Sequence, residues 1–433
     1  MRNRPFSLMI AMALAVPGAA LAQLGLPAGV EPGLSRVGDG IDRIGTRIGD
    51  ALDGVIDVEK LNQLPRADAI AALAKARLER IAAFVRGNRD SIALDRQGNP
   101  ARRDRLILTG ASESEVAALR AAGYTVESEA IPFIDVALWR VKVPDGQKLA
   151  DAMKSVGTLA PSAQVSSDAI YFQSGAAPAP APAAPASPAT SGVIAPVGVI
   201  DGGVAQHPAF VGPISQRSFA GPAVVPSAHG TAVASLVAGG GAVKGASPGA
   251  PLLIADVYGR DPAGGGALAI ARALGWLAGS GARVVTMSLV GPDVPLLAQA
   301  VRAAQAKGVF IIAPVGNDGP AAPPAYPASY PKVISVTGVD GRNRVLIEAG
   351  RALHVDYGAP GADMDAAAPG GKAARVRGTS FAAPLVAGLL YRQMRQGAAN
   401  PVAGLDAQAK DLGKKGPDPV FGRGLLCETC RGR

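Results

Sequence analysis

The sequence predicts an α/β protein, most of it a parallel sheet with helices on both faces, preceded by a small α+β unit of ferredoxin-like pattern. Three observations carry this reading. From Ile194 onward, short apolar runs alternate with stretches of helix length, as in a sheet built from crossover units. Residues 104–173 instead show a βαββαβ pattern. Between the two, residues 174–192 form an Ala/Pro tract that favours extended conformations and cannot build a core, which makes it a linker and an accessible cleavage site.

In the larger part (193–426), Leu252–Val257, Val284–Leu289, Val309–Ala313 and Val333–Thr337 are apolar runs of the buried-strand type. Gly266–Ala278 and Val294–Lys307 are the helices between them. In open α/β sheets, reactive groups collect at the C-terminal ends of the strands. In the smaller part, strands are expected at Leu106–Leu108, Tyr124–Val126, Val136–Val143 and Ala169–Phe172, with helices at Ser114–Ala122 and Gln147–Ser155.

Residues 1–22 read as a secretory signal: Arg2 and Arg4 open it, Leu8–Val16 is apolar, and Ala20-Leu21-Ala22 is a small-residue cleavage site. The apolar run is short for a membrane anchor, and no later stretch is long and apolar enough to span a bilayer. Export to the periplasm or the medium is expected. In residues 23–103, one helical pattern runs Leu34, Val37, Ile41, Ile44, Ile48, Val55, interrupted by glycines, and a second runs Ile70, Leu73, Leu78, Ile81, Phe84. They suit a docking helix pair or a membrane-surface segment.

The formal charge of +9 on 433 residues raises the possibility of nucleic acid. The basic residues are scattered, however, with no aromatic–basic stripe, so no nucleic-acid partner is expected.

Three stretches carry chemistry. Val197-Gly198-Val199-Ile200-Asp201-Gly202-Gly203 is an apolar strand ending in a carboxylate and glycines. Ser227-Ala228-His229-Gly230-Thr231 opens a small-residue helix with a histidine. Arg377-Gly378-Thr379-Ser380-Phe381-Ala382-Ala383-Pro384 carries a serine through a tight turn into an Ala/Leu/Val-rich helix. Alone, that serine reads as a helix N-cap. With the other two it completes the order Asp–His–Ser, one of the chain orders known for catalytic triads. A fourth stretch, Ala313-Pro314-Val315-Gly316-Asn317-Asp318-Gly319, resembles an oxyanion loop. On these four ordered motifs the chain resembles the subtilisin-like serine protease family over roughly 193–426, closing at Asp418–Leu426.

The resemblance implies that Ser380 is the nucleophile, His229 the general base and Asp201 the group that orients the imidazole. Asn317 and the Ser380 amide would hold the oxyanion. It also implies that the unit at 104–173 is a pro-region, which assists folding and acts as an intramolecular inhibitor until cleaved; an unrelated ferredoxin-like module is the alternative. His207 and His354, the latter expected in a strand, are read as non-catalytic.

Met287-Ser288-Leu289-Val290-Gly291 resembles the segment that binds substrate backbone, and Gly316 and Ala325 would border the specificity pocket. Three positions depart from the family pattern. Val290 stands where glycine is usual, Pro314 replaces a smaller residue, and Gly202 stands where Ser or Thr is usual. Val290 is expected to narrow the pocket toward small or medium side chains; Gly202 removes a hydroxyl beside the aspartate.

Cys427-Glu428-Thr429-Cys430 is read as a terminal disulfide in an exported protein, since neither a thioredoxin-like context nor further ligands for zinc accompany it. No cofactor is implied; no calcium-loop pattern is evident, and irregular calcium sites escape a sequence search. The function expected is hydrolysis of protein or peptide substrates through an acyl-enzyme on Ser380, by an enzyme made as a self-processing precursor. A transpeptidase and a catalytically silent module on the same fold are the rivals.

Overall fold

The computed structural model describes residues 58–174 and 195–431. The expected signal, the first helical pattern and nearly all of the Ala/Pro tract lie outside them. The described residues begin with helices α1 (Val58–Gln63) and α2 (Arg66–Gly87). Helix α2 buries Ala69 and Leu73, while Leu78, expected on the same apolar face, is 62% exposed. Phe84 meets Phe172 edge-on at 5.2 Å.

The small unit comprises β1 (Ile92–Leu94), β2 (Pro100–Thr109), α3 (Glu113–Ala121), β3 (Val126–Ile131), β4 (Val136–Lys142), α4 (Leu149–Leu159) and β5 (Gln164–Ala169). Its antiparallel sheet runs β1-β2-β4-β3, with β5 paired to β2. Two expectations are corrected. The sheet starts at Ile92, before the expected boundary at 104, because Ile92–Leu94 forms a hairpin with the start of β2. The last strand is Gln164–Ala169, upstream of the expected Ala169–Phe172. Its polar run Ser166-Ser167-Asp168 is buried and hides the strand signal, yet it is satisfied: Ser167 Oγ donates to Asp95 Oδ2 at 2.8 Å.

Side-chain alternation in β2 explains the docking of this unit. Leu106 and Leu108 face α3 and α4, joining Val116, Leu119 and Val156. Ile107 faces the other way, in one cluster with Leu138 of β4 and Leu274 and Leu297 of the larger part. The sheet is therefore buried on both faces.

After β6 (Phe172–Gln173), the larger part begins with β7 (Val197–Asp201) and β8 (Ile214–Ser218). There follow α5 (Ala228–Ala238), β9 (Leu252–Asp256), α6 (Ala267–Gly279), β10 (Val284–Met287), β11 (Leu289–Val290), α7 (Pro295–Ala306) and β12 (Phe310–Pro314). Next come β13 (Ile334–Val339), β14 (Tyr357–Pro360), the hairpin β15 (Met364–Ala368) and β16 (Lys372–Val376), α8 (Ala383–Arg395) and α9 (Pro401–Asp406). Seven strands form a parallel sheet in the order β14-β13-β12-β10-β7-β9-β8.

Both sheet faces are covered, so these strands read as continuous apolar runs. Ile200, Val285 and Ile311 pack toward α6 and α7; Val199, Val284 and Ile312 pack toward α5 and α8. The expected run Val284–Leu289 divides at Ser288, because Leu289 and Val290 leave the sheet to pair with β6. His354 lies outside any strand, its Nε2 2.9 Å from the Val333 carbonyl oxygen. Cys427 and Cys430 are joined in a disulfide.

The small unit also completes a helix of the larger one. Asp168 accepts from the Leu268 N–H at 2.9 Å, in the first turn of α6, where Gly266 offers no capping side chain. Burial raises the Asp168 pKa against the opposing pull of that bond. Glu129 pairs with Arg272 through two contacts, one of them Nη2–Oε2 at 2.6 Å.

Candidate active site

Asp201 ends β7, at the C-terminal edge of the sheet. His229 lies in the first turn of α5, whose N-cap Ser227 accepts from the Gly230 N–H at 2.9 Å. A side chain at 230 could not exist here: its Cβ would stand 2.3 Å from the Gly202 carbonyl oxygen. Glycine after the histidine thus lets α5 close directly onto the end of β7. Asp256, at the end of β9, holds the approach to α5 by accepting from the Val225 N–H at 2.7 Å. Burial raises its pKa, opposed by three backbone N–H donors.

Ser380 sits in a 3₁₀ turn, Thr379–Phe381, immediately before α8. Gly378 precedes the turn with φ of 142°, a conformation that favours glycine. These elements bring the three side chains together. His229 Nδ1 lies 3.0 and 2.9 Å from the two Asp201 oxygens, and His229 Nε2 lies 2.9 Å from Ser380 Oγ. All three residues are buried.

Asn317 follows β12. Its Oδ1 accepts from the Thr379 N–H at 2.9 Å, and its Nδ2 is buried with no hydrogen-bond partner. An unsatisfied buried donor is costly in a resting fold and useful where negative charge develops. Gly316 supports the turn by accepting from Thr379 Oγ1 at 3.1 Å and from the Gly350 N–H at 2.7 Å.

The cleft is filled by the chain itself. Strand β6 pairs antiparallel with β11, Gln173 opposite Leu289 and Phe172 opposite Val290. On the other side, the Tyr171 N–H donates to Gly265 O at 2.9 Å. The Tyr171 ring lies where a Gly291 side chain would be, and its hydroxyl donates to Pro292 O at 2.6 Å. At the end of the strand, the Ser174 N–H points to Ser288 O at 3.5 Å, and Ser174 O accepts from the Ser380 N–H at 3.2 Å. Ser288 also donates through Oγ to Ser380 O at 3.0 Å. Each of Ser288, Leu289, Val290, Gly291 and Gly316 therefore lines or supports this cleft. Ala325 borders the adjacent pocket with Val290. A Cβ on Gly316 would stand 3.4 Å from Val290 Cγ1 and 3.6 Å from Ala325 Cβ, so these two side chains flank the Gly316 backbone.

A model of the subtilase family matches residues 192–401. Subtilisin BL of Lederbergia lenta is 35% identical over 205 residues, covering 44% of this chain and 73% of that protein. The chain belongs to the subtilase family.

Two further likenesses extend this. The major intracellular serine protease of Bacillus subtilis (strain 168) is 34% identical over 170 residues, and the match spans about half of its length (53%). The crystal structure of fervidolysin from Fervidobacterium pennivorans aligns with a TM-score of 0.63 at 21% identity, over 78% of this chain and 63% of that one. At that identity it shows shared fold alone. In this subtilase, no helix among the described residues is long and apolar enough to cross a membrane.

Sequence reasoning missed several contributors. Tyr171, Gln173 and Ser174 occupy the cleft, yet an ordinary polar–aromatic run before a linker carries no signal of that role. Arg77 and Arg80 of α2 are also at the site, each contacting the Asp318 carboxylate beside Asn317, with Arg77 Nε at 3.2 Å. Leu73 packs against Gly319 in the same loop. The second helical pattern therefore docks on the larger domain beside the cleft.

Proposed function

We propose that this subtilase is an exported serine endopeptidase made as a self-processing precursor. The observation that carries the proposal is Ser174, whose carbonyl oxygen accepts from the amide of Ser380 while Ser380 Oγ lies 2.9 Å from His229 Nε2. The bond cut in processing would be Ser174–Gly175, at the head of the Ala/Pro tract.

Ser380 Oγ attacks the Ser174 carbonyl carbon as His229 Nε2 takes its proton. Asp201 holds the imidazole by Nδ1 and stabilises the imidazolium. The Ser380 N–H and Asn317 Nδ2 take up the oxyanion. The proton passes from His229 to the Gly175 nitrogen as the C–N bond breaks. Water then enters by the same base and releases the acyl group, regenerating Ser380. Substrates would bind along β11 as residues 172–174 do, with small side chains preferred before the scissile bond, as Ser174 and the Val290–Gly316–Ala325 wall suggest.

Residues 58–174 would act as the intramolecular inhibitor, since they bury Ser380 and fill the backbone-binding cleft. The basic start, apolar run and Ala20-Leu21-Ala22 support export.

The test is the intact mass of the protein expressed from Gln23, incubated with a fluorophosphonate, beside Ser380→Ala. Trimming after Ser174 with one probe adduct, both absent in the variant, is the expected result. No adduct after the 175–194 segment has been cut by an added protease would favour a silent module. Products carrying an added amine acceptor would favour acyl transfer.

A further inference from the structure

The Asp201 carboxylate receives a hydrogen bond from a residue that does not belong to the catalytic domain. Gln173 Nε2 donates to Asp201 Oδ1 at 2.8 Å. A carboxylate can only accept here, so the amide must present its nitrogen, and the orientation follows from chemistry. The same oxygen accepts from the Gly202 N–H at 2.7 Å and lies 3.0 Å from His229 Nδ1. Asp201 is fully buried, which makes each donor consequential.

Gly202 makes room for Ser227 and lies in ordinary contact range of the Gln173 amide. A Cβ at 202 would stand 2.4 Å from Ser227 Oγ and 3.4 Å from Gln173 Nε2. The domain thus has no side chain of its own at 202 to offer the carboxylate, and the bound strand supplies one from the second position before the scissile bond.

We infer that the subsite formed by Asp201, Gly202 and Ser227 selects glutamine at that second position, so that the substrate itself completes the hydrogen bonding of the catalytic aspartate. The inference rests on the proteolytic reading above. Glutamate at the same position brings a second carboxylate against a buried one. Methionine keeps the length and leaves the carboxylate without its donor.

The test uses the full chain after self-trimming, with active sites counted by fluorophosphonate. Three peptides of the sequence 169–176 carry Gln, Met or Glu at the place of Gln173, and their relative kcat/KM values are read in competition by mass spectrometry. The expected preference is about tenfold or more for Gln over Met, the range for a hydrogen bond to a charged group, with Glu cut more slowly still. Within one enzyme this ratio is independent of the amount of active protein. A Gln/Met ratio below about threefold, or Glu cut as fast as Gln, overturns the inference and leaves the protease reading standing. Labelling of Ser380 with none of the peptides cut also overturns it, while the serine-hydrolase chemistry survives. Neither labelling nor cleavage removes the proteolytic reading and this inference together.

Discussion

The backbone N–H of Thr379 donates to Asn317 Oδ1 at 2.9 Å, and this contact decides which way the Asn317 amide is turned. A backbone N–H can only donate, so the oxygen must face Thr379. The nitrogen is then left buried without a partner. Replacing Asn317 with Ala removes that donor. We expect kcat to fall about 10²–10³-fold, about 3–4 kcal/mol in the barrier, with KM little changed. Steady-state kinetics on the trimmed enzyme, scaled to titrated active sites, checks this.

Val290 and Ala325 stand across the Gly316 position at van der Waals range. Val290→Gly opens that wall. The expected result is a rise of about tenfold in kcat/KM for Phe relative to Ala before the scissile bond, an amount typical of a few methylene groups in an apolar pocket. A peptide library profiled on both enzymes would show it; a parent enzyme already dominated by Phe and Tyr would contradict the expectation that Val290 narrows the pocket.

Arg77 and Arg80 tie α2 to Asp318, the residue after Asn317. Both arginines are partly solvated, so each pair contributes about 0–1 kcal/mol. Arg77→Ala with Arg80→Ala should leave Asp201, His229 and Ser380 in place and loosen α2. Cleavage of a small peptide should then appear earlier after mixing than in the parent full-length chain. An unchanged lag would mean that α2 does not cover the cleft.

The small α+β unit has an acid-sensitive joint. The Glu115 carboxylate accepts from Ser162 Oγ at 2.6 Å, the Ser112 N–H at 2.8 Å and the Ser162 N–H at 2.7 Å. These bonds hold its pKa down to about 2. A folded pKa below the unfolded value of about 4.3 means stability present above that value and lost as pH falls toward 2. The stability of the full-length Ser380→Ala chain to denaturant should weaken over that window. Glu115→Gln should flatten the dependence, and an equally steep curve in the variant would rule Glu115 out as its source.

Much of the subtilase domain was legible in the sequence because its signals are local. An apolar run ending in Asp201 is a strand that delivers a carboxylate to the sheet edge. His229 followed by glycine opens a helix of small residues that can approach closely, and Gly378 before Thr379-Ser380 marks a tight turn into α8. These patterns identify Asp201, His229 and Ser380 and their order without any knowledge of distance. The tertiary structure alone decided what fills the cleft and how the amino-terminal part meets it. Ser166-Ser167-Asp168 carries no apolar strand pattern, and is a buried strand only because Asp95 and the N–H of Leu268, far away in the chain, satisfy its polar groups. Gln173 is an unremarkable residue until folding sets its amide beside Asp201. Ser174 becomes the candidate for cleavage only because β11 offers an unpaired edge. In each case the partner is distant in sequence, and buried polar contacts leave no periodic trace along the chain.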